Sequence, residues 1–328
     1  VKAVLFQGKG GPEVVTVGEV PDPAPGRGEV LVRVRAAGIN RADLLQRRGL
    51  YPPPPGVRED LPGLELAGEV AGLGEGVRGW KAGDRVMAIT SGEAQAELAV
   101  VHERMLTPIP EGISFEEAAA IPEAFLTAHD ALFTQGGLRP GWPVLIHAAG
   151  SGVATAAVQL VQAAGGTAIG TSRTRAKLDR AQRLGLAHAL LVAGDPPRFA
   201  EEVKAITGGR GVPLLLDLVG AAYLPENLAA LASRGRLVAV GLLGGAQAKL
   251  DMGLLLSRRA TLVGTVLRSR PLEEKIQATQ DFVRDVLPLL ATRAVQPVLD
   301  AAVPLARVQE AHARMEKNES FGKLVLVM

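Results

Sequence analysis

The pattern of apolar and polar positions changes character once along the chain. Up to about residue 110 it has period two: Glu29–Arg35 reads EVLVRVR, apolar and charged residues in turn, as half-buried antiparallel strands do. Gly- and Pro-rich punctuation (PDPAPGRGE, YPPPPG, GLGEGVRGWKAGD) separates such runs, which predicts a β-rich unit with many turns. One helix interrupts it over Arg41–Arg48, with Asn40 placed to cap it. Near Ser114 the texture becomes helical. Ser114 and Glu117 have the spacing of a capping box, and Pro122 marks the break between two helices.

From there the chain alternates strand-like and helical segments: PVLIH, GVATAAVQLVQAAG, TAIGT, RAKLDRAQRLG, HALLV, FAEEVKAITG, VPLLLDLVG, LPENLAALASRG and RLVAVG. Apolar strands without alternation, separated by amphipathic helices, predict a parallel sheet covered on both faces. The tail carries helix, Pro-bounded strand, helix and a last strand, FGKLVLV, expected to rejoin the first unit. The fold class is therefore α/β, a β-rich domain plus a doubly wound parallel-sheet domain.

Composition narrows the chemistry. The 328 residues contain no cysteine, which removes disulfides, thiolate nucleophiles and thiolate-ligated metal from consideration. Lys and Arg number 36 against 34 Asp and Glu, and aromatics are 3%, so neither a basic slab nor a stacking surface for nucleic acid is predicted. No signal-peptide core opens VKAVLFQGKG and no apolar run is long enough to span a bilayer, so a cytoplasmic protein without membrane or nucleic-acid partners is expected. The five histidines are scattered without ligand spacing. His147 and Asp217 each end a core strand, where a hydrogen-bonded structural role competes with a functional one.

The chemistry-bearing stretch is VLIHAAGSGVATAAVQL, where the first parallel strand turns into a helix. Backbone N–H groups and the helix dipole hold a pyrophosphate at such a turn, and Ala148, Ala149, Gly150, Ser151, Gly152 and Ala154 supply the small residues it needs. Ser151, Gly152 and Val153 are the expected contacts. About twenty residues on, where an NAD enzyme carries a carboxylate for the ribose hydroxyls, this chain has Ser172, followed by Arg173, Arg175 and Lys177. Nothing there repels a 2′-phosphate and cations stand ready to pair with one, so NADPH is the expected cofactor.

Together, AAGINRADLLQRRGLYPPPPG, PGLELAGEV, GDRVMAI, AAAIPEAFLTAHDAL and IHAAGSGVATAAVQ resemble the zinc-free quinone oxidoreductases of the medium-chain dehydrogenase/reductase superfamily across nearly the whole chain. NRADLLQRRGLY, IPEAFLTA, VLRSR and FGKLVL look closest to the p53-inducible quinone oxidoreductase branch. The resemblance implies a GroES-like catalytic domain from residues 1–120 and 266–328, a Rossmann domain over 121–265, and a homodimer. It implies direct hydride transfer from nicotinamide to a quinone or conjugated carbonyl in a cleft between the domains. Zinc-dependent relatives carry Gly-His-Glu where this chain has Gly63-Leu64-Glu65. Asn40 and Tyr51 match the family's catalytic cleft residues, and Thr127 matches one beside the nicotinamide. Val240, Gly241, Leu242 and Leu267 match segments that hold nicotinamide and ribose. Two departures stand out: the family's A-x-x-G-x-x-G is Ala148-x-x-Ser151-x-x-Ala154, and Val192 replaces a tyrosine at the end of the third strand. The alternatives are an enone or alkenal double-bond reductase of the same fold, and a non-enzymatic NADPH-binding protein of the crystallin or RNA-binding kind.

Overall fold

The computed structural model describes residues 1–328, which divide into two compact units: Val1–Leu126 with Leu267–Met328, and Thr127–Val266. The first contains β1 (Lys2–Phe6), β2 (Val15–Glu19), β3 (Glu29–Ile39), β4 (Glu65–Leu73), β5 (Arg85–Ile89), β6 (Leu98–His102) and β7 (Leu106–Pro108). The second contains β8 (Pro143–Ile146), β9 (Thr167–Ser172), β10 (His188–Leu191), β11 (Val212–Asp217), β12 (Leu231–Ala239) and β13 (Thr261–Gly264). The chain then supplies β14 (Leu299–Pro304) and β15 (Lys323–Val327) to the first unit.

In the first unit β3 is the organiser. It pairs antiparallel with β4 along one edge; on the other its first half pairs with β6 and its second half with β15. The period-two reading holds there: Val30, Val32 and Val34 are buried while Arg33 and Arg35 face water. The last strand therefore does rejoin the first unit, and β14 lies parallel beside it. Leu324 and Leu326 of β15 pack with Ile39, Leu44 and the helix Val308–Glu316 through Val308, Ala311 and Met315. The Ser114–Glu117 box forms as expected, Glu117 N–H donating to Ser114 Oγ at 3.2 Å and Ser114 N–H to the Glu117 carboxylate at 3.0 Å.

The second unit is a six-stranded, wholly parallel sheet in the order β10-β9-β8-β11-β12-β13. The order reverses between β8 and β11, and in such sheets ligands bind outside the carboxyl ends of the strands at that point. Val144–Ile146 and Leu214–Leu216 are buried completely, as central strands covered on both faces must be. The helix Gly152–Ala163 buries Ala154 through Val161, its alanines allowing close approach to the sheet. β13 and the helix Met252–Arg258 before it continue the series beyond the predicted segments. No helix is long and apolar enough to cross a membrane.

Candidate functional site

Each unit gathers its own group of chemically competent residues. In the parallel-sheet unit the chain leaves β8 through His147 into the turn Ala148–Ser151. Ala148 takes a left-handed φ of +51°, a conformation that a side chain makes costly, and Ala149 N–H anchors the turn to Thr171 O at 2.9 Å. Ser151 N-caps the helix Gly152–Ala163, its Oγ accepting from Ala154 N–H at 3.2 Å. The hydroxyl oxygen is thus committed to the helix, and its proton stays free to donate. The amides of Gly152 and Val153 lack intrahelical partners, as at any helix start, and both residues are partly exposed.

The end of β9 lies beside this turn. Ser172 is 8% exposed and its Oγ accepts from Thr174 N–H at 3.1 Å, leaving its proton too for a ligand. Arg173 is exposed. The stem of Lys177 lies against Gly150: a Cβ there would sit 2.7 Å from Lys177 Cδ, so the glycine makes room for the lysine. The structure thus brings Ser151, Gly152, Val153, Ser172, Arg173 and Lys177 to one end of the sheet. Val240 and Gly241 directly follow β12, both N–H groups donating to Asp217 O at the end of β11 at 2.8 and 3.2 Å, and Leu242 is 59% exposed beyond them. Thr127 is buried at the start of the unit, and Leu267 is buried where the chain re-enters the other one. Val192 is a core residue packed with Leu190 and Phe199, with no polar role.

His147 and Asp217 resolve as structural. Asn227 Nδ2 donates to Asp217 Oδ2 at 2.9 Å, so Asn227 Oδ1 accepts from His147 Nε2 at 2.6 Å, and Thr171 Oγ1 at 2.8 Å donates to Nδ1. Burial lowers the affinity of His147 for a second proton, the Asp217 charge and Asn227 opposing it, so the ring is the neutral middle of this chain. The other oxygen of Asp217 accepts from Val219 and Gly220 N–H at 2.7 and 2.9 Å.

The first unit holds a buried ionic cluster that sequence reasoning missed apart from Asn40 and Tyr51. Glu65 on β4 and Asp43 in the helix Arg41–Arg47 are both fully buried. Glu65 accepts from Lys323 Nζ at 2.6 Å, Asn40 Nδ2 at 2.9 Å and Glu123 N–H at 2.8 Å. Its carboxylate lies across Gly38 of β3, where a Cβ would come within 2.1 Å of Oε1. Lys323 also donates to Ile39 O at 3.0 Å and to Asn40 Oδ1. Asn40 therefore starts the helix as predicted, but its side chain serves Glu65 and Lys323. The return bond, Asn40 N–H to Asp43 Oδ2 at 2.8 Å, does the capping. Asp43 accepts further from Gln95 Nε2 at 3.2 Å and Gly63 N–H at 3.3 Å, yet burial still raises its pKa to about 6.

Arg268, 5% exposed, holds the loop that carries Tyr51. It donates to Tyr51 O at 3.1 Å, Ser91 O at 2.8 Å and Gln46 Oε1 at 2.6 Å, and its guanidinium carbon lies 5.2 Å from the centre of the Tyr51 ring. Burial, with Glu123 adding and Arg268 opposing, raises the Tyr51 phenol further above its ordinary range, so it is a neutral donor.

Two family models match the chain, "Alcohol dehydrogenase GroES-like domain" over residues 26–128 and "Zinc-binding dehydrogenase" over residues 152–285. A quinone oxidoreductase of Pseudomonas aeruginosa is 33% identical over 99% of this chain and 99% of its own. The chain belongs to the quinone oxidoreductase-like medium-chain dehydrogenase/reductases. The synaptic vesicle membrane protein VAT-1 homolog of Homo sapiens is 32% identical over 100% of this chain and 86% of its own. The structure of Escherichia coli quinone oxidoreductase complexed with NADPH superposes with a TM-score of 0.89, at 30% identity and full coverage of both chains. This family member's donor set does not fit the zinc in the second model's description. Leu64 stands, 2% exposed, where zinc-dependent relatives carry histidine, both oxygens of Glu65 are occupied by donors, and no three His, Cys, Asp or Glu side chains group as metal ligands would.

Proposed function

We propose that this chain is an NADPH-dependent quinone reductase that works without metal. The observation that carries the reading is the basic, carboxylate-free end of β9, with Ser172 and Arg173 beside Lys177 and the Lys177 stem against Gly150 of the turn. The quinone oxidoreductase relatives, one of them solved with NADPH, support both halves of it. Ser151, Gly152 and Val153 would meet the pyrophosphate. Thr127, Val240, Gly241, Leu242 and Leu267 would line nicotinamide and ribose. When bound, the reduced nicotinamide supplies the hydride. The protein's part is to align the substrate and to set donors where its oxygen becomes anionic. Tyr51 has an uncommitted hydroxyl for this, and Asn40 a second amide hydrogen beyond the one held by Glu65. A homodimer belongs to the same proposal, supported by the edge strand β13 with Leu262 38% and neighbouring Leu256 71% exposed.

Turnover of 1,2-naphthoquinone, an enal and a saturated alcohol, each with NADPH and NADH, tests the reading. We expect NADPH with the quinone to lead, over NADH by about 10- to 100-fold in kcat/KM, roughly 1.4–2.8 kcal/mol. Arg173→Ala with Lys177→Met, which keeps the stem on Gly150, should raise the KM for NADPH and leave NADH nearly untouched. Equal efficiency with both cofactors in the wild type overturns the NADPH assignment, and turnover confined to the enal moves the chain to the double-bond reductases.

Tyr51→Phe should lower kcat/KM for the quinone by one hydrogen bond to a developing charge, about 1.5–3 kcal/mol, without abolishing turnover. An unchanged rate would return Tyr51 to the role of a turn aromatic under Arg268.

A further inference from the structure

Three carboxyl groups converge in the first unit, and one differs from the others. Asp43 and Glu65 are fully buried and each accepts three hydrogen bonds. Glu123, in the first turn of the helix Pro122–His129, takes part only through its backbone N–H, which donates to Glu65. The charged and titratable groups around it are Glu65 of β4, Lys323 of β15, Asp43 of the helix Arg41–Arg47, Arg268 and Tyr51. The cations are already committed: Lys323 to Ile39 O, Asn40 and Glu65, Arg268 to Ser91 O, Tyr51 O and Gln46. Lys323 and Arg268 act on Asp43 and Glu65 as well, so their pull on a Glu123 charge is outweighed by its burial and by the neighbouring carboxylates. Its side chain nevertheless keeps part of its surface open to water.

We propose that Glu123 is the proton donor to the reduced substrate. The assignment rests on the quinone-reductase reading above. When the hydride adds to the conjugated carbonyl system, a substrate oxygen is left anionic. The carboxyl O–H bond of Glu123 breaks as a new O–H bond forms on that oxygen, and the electron pair stays on the carboxylate. Quinone, hydride and proton sum to the hydroquinone, and water restores the proton to Glu123 through its open edge. Tyr51, whose phenol shares these surroundings, orients the carbonyl while Glu123 delivers the proton. Burial, reinforced by the charges of Glu65 and Asp43, pushes the Glu123 carboxyl up to about 8, which keeps the donor form present at neutral pH.

The test compares wild type, Glu123→Gln and Glu123→Asp with NADPH and 1,2-naphthoquinone from pH 6 to pH 10. We expect wild-type kcat to fall above about pH 8, Glu123→Gln to lose about 100-fold at pH 7 and to lose that limb, and Glu123→Asp to keep it. The KM for NADPH should stay within about twofold, as no cofactor contact changes. A readout without turnover is the carboxyl carbon resonance of Glu123 in labelled protein free of cofactor. It should titrate near 8 and be absent from Glu123→Gln. Equal rates and profiles for wild type and Glu123→Gln, or a Glu123 carboxyl titrating in the ordinary range, overturns the assignment while the quinone reading stands. A wild type that reduces the enal but no quinone overturns the quinone reading alone, and the same comparison with the enal then decides Glu123. A wild type that reduces neither overturns both.

Discussion

Lys323→Met should cost the first unit about 3–5 kcal/mol of unfolding free energy, the largest loss expected of a single substitution outside the apolar core. Lys323 is 5% exposed and its three ammonium hydrogens all find oxygens, among them a carboxylate with no access to water. Removing the ammonium leaves Glu65 buried with only two neutral donors and Asn40 Oδ1 without a partner. Glu65→Gln in the same chain should recover most of the loss, because a neutral amide needs no counter-charge. Urea unfolding followed by Trp80 fluorescence in a Trp142→Phe background isolates this unit, since each unit holds one of the two tryptophans. A loss under about 1 kcal/mol would mean that the pair contributes no more than a surface ion pair does.

Glu123→Gln should become more stable than the wild type as pH rises. In the folded chain Glu123 keeps its proton up to about pH 8, whereas its ordinary value is 4.5. Between those values unfolding releases a proton, so rising pH favours the unfolded chain. The stability tied to Glu123 is fully present below about pH 4.5 and is lost as pH climbs through about 8. Glutamine mimics the protonated carboxyl and does not titrate. The variant should therefore gain about 1.4 kcal/mol per pH unit over this window, about 5 kcal/mol in all, and level off above it. Only the difference between the two chains reads Glu123 alone, because buried His312, whose pKa burial lowers to about 3, works against folding on the acid side. Stability curves that run parallel from pH 5 to pH 9 would show that Glu123 is ionised throughout.

What could be read from the sequence was whatever shows itself locally. EVLVRVR alternates because one face of β3 is wet, and Val144–Ile146 of β8 and Leu214–Leu216 of β11 are apolar throughout because neither face is. The box of Ser114 and Glu117 closes within four residues. The sixth parallel strand was missed because β13 has four residues and the helix before it exposes Met252 and Leu256, so neither carries a clear burial pattern. The ionic cluster was missed for a different reason. Asp43, Glu65, Glu123 and Lys323 come from four separate elements and Arg268 from a loop, and no spacing relates them. One trace of it was available: a lysine opening the otherwise apolar run KLVLV is costly to bury without a carboxylate to meet it. At Asn40 the helix start was legible, but not that its amide would be claimed by partners 25 and 283 residues away.

The return of β15 to β3 also sets an order of events during synthesis. Glu65 and Lys323 are separated by 258 residues, which at about 5–20 residues per second take the ribosome roughly 13–50 s to add. The parallel sheet, contained in Thr127–Val266, is complete in sequence well before Lys323 exists. Throughout that interval the second half of β3 has one edge without its partner and Glu65 lacks its ammonium. Until Lys323 is made, the nascent first unit therefore carries an open strand edge of the kind that pairs wrongly, while the inserted unit already has all its strands.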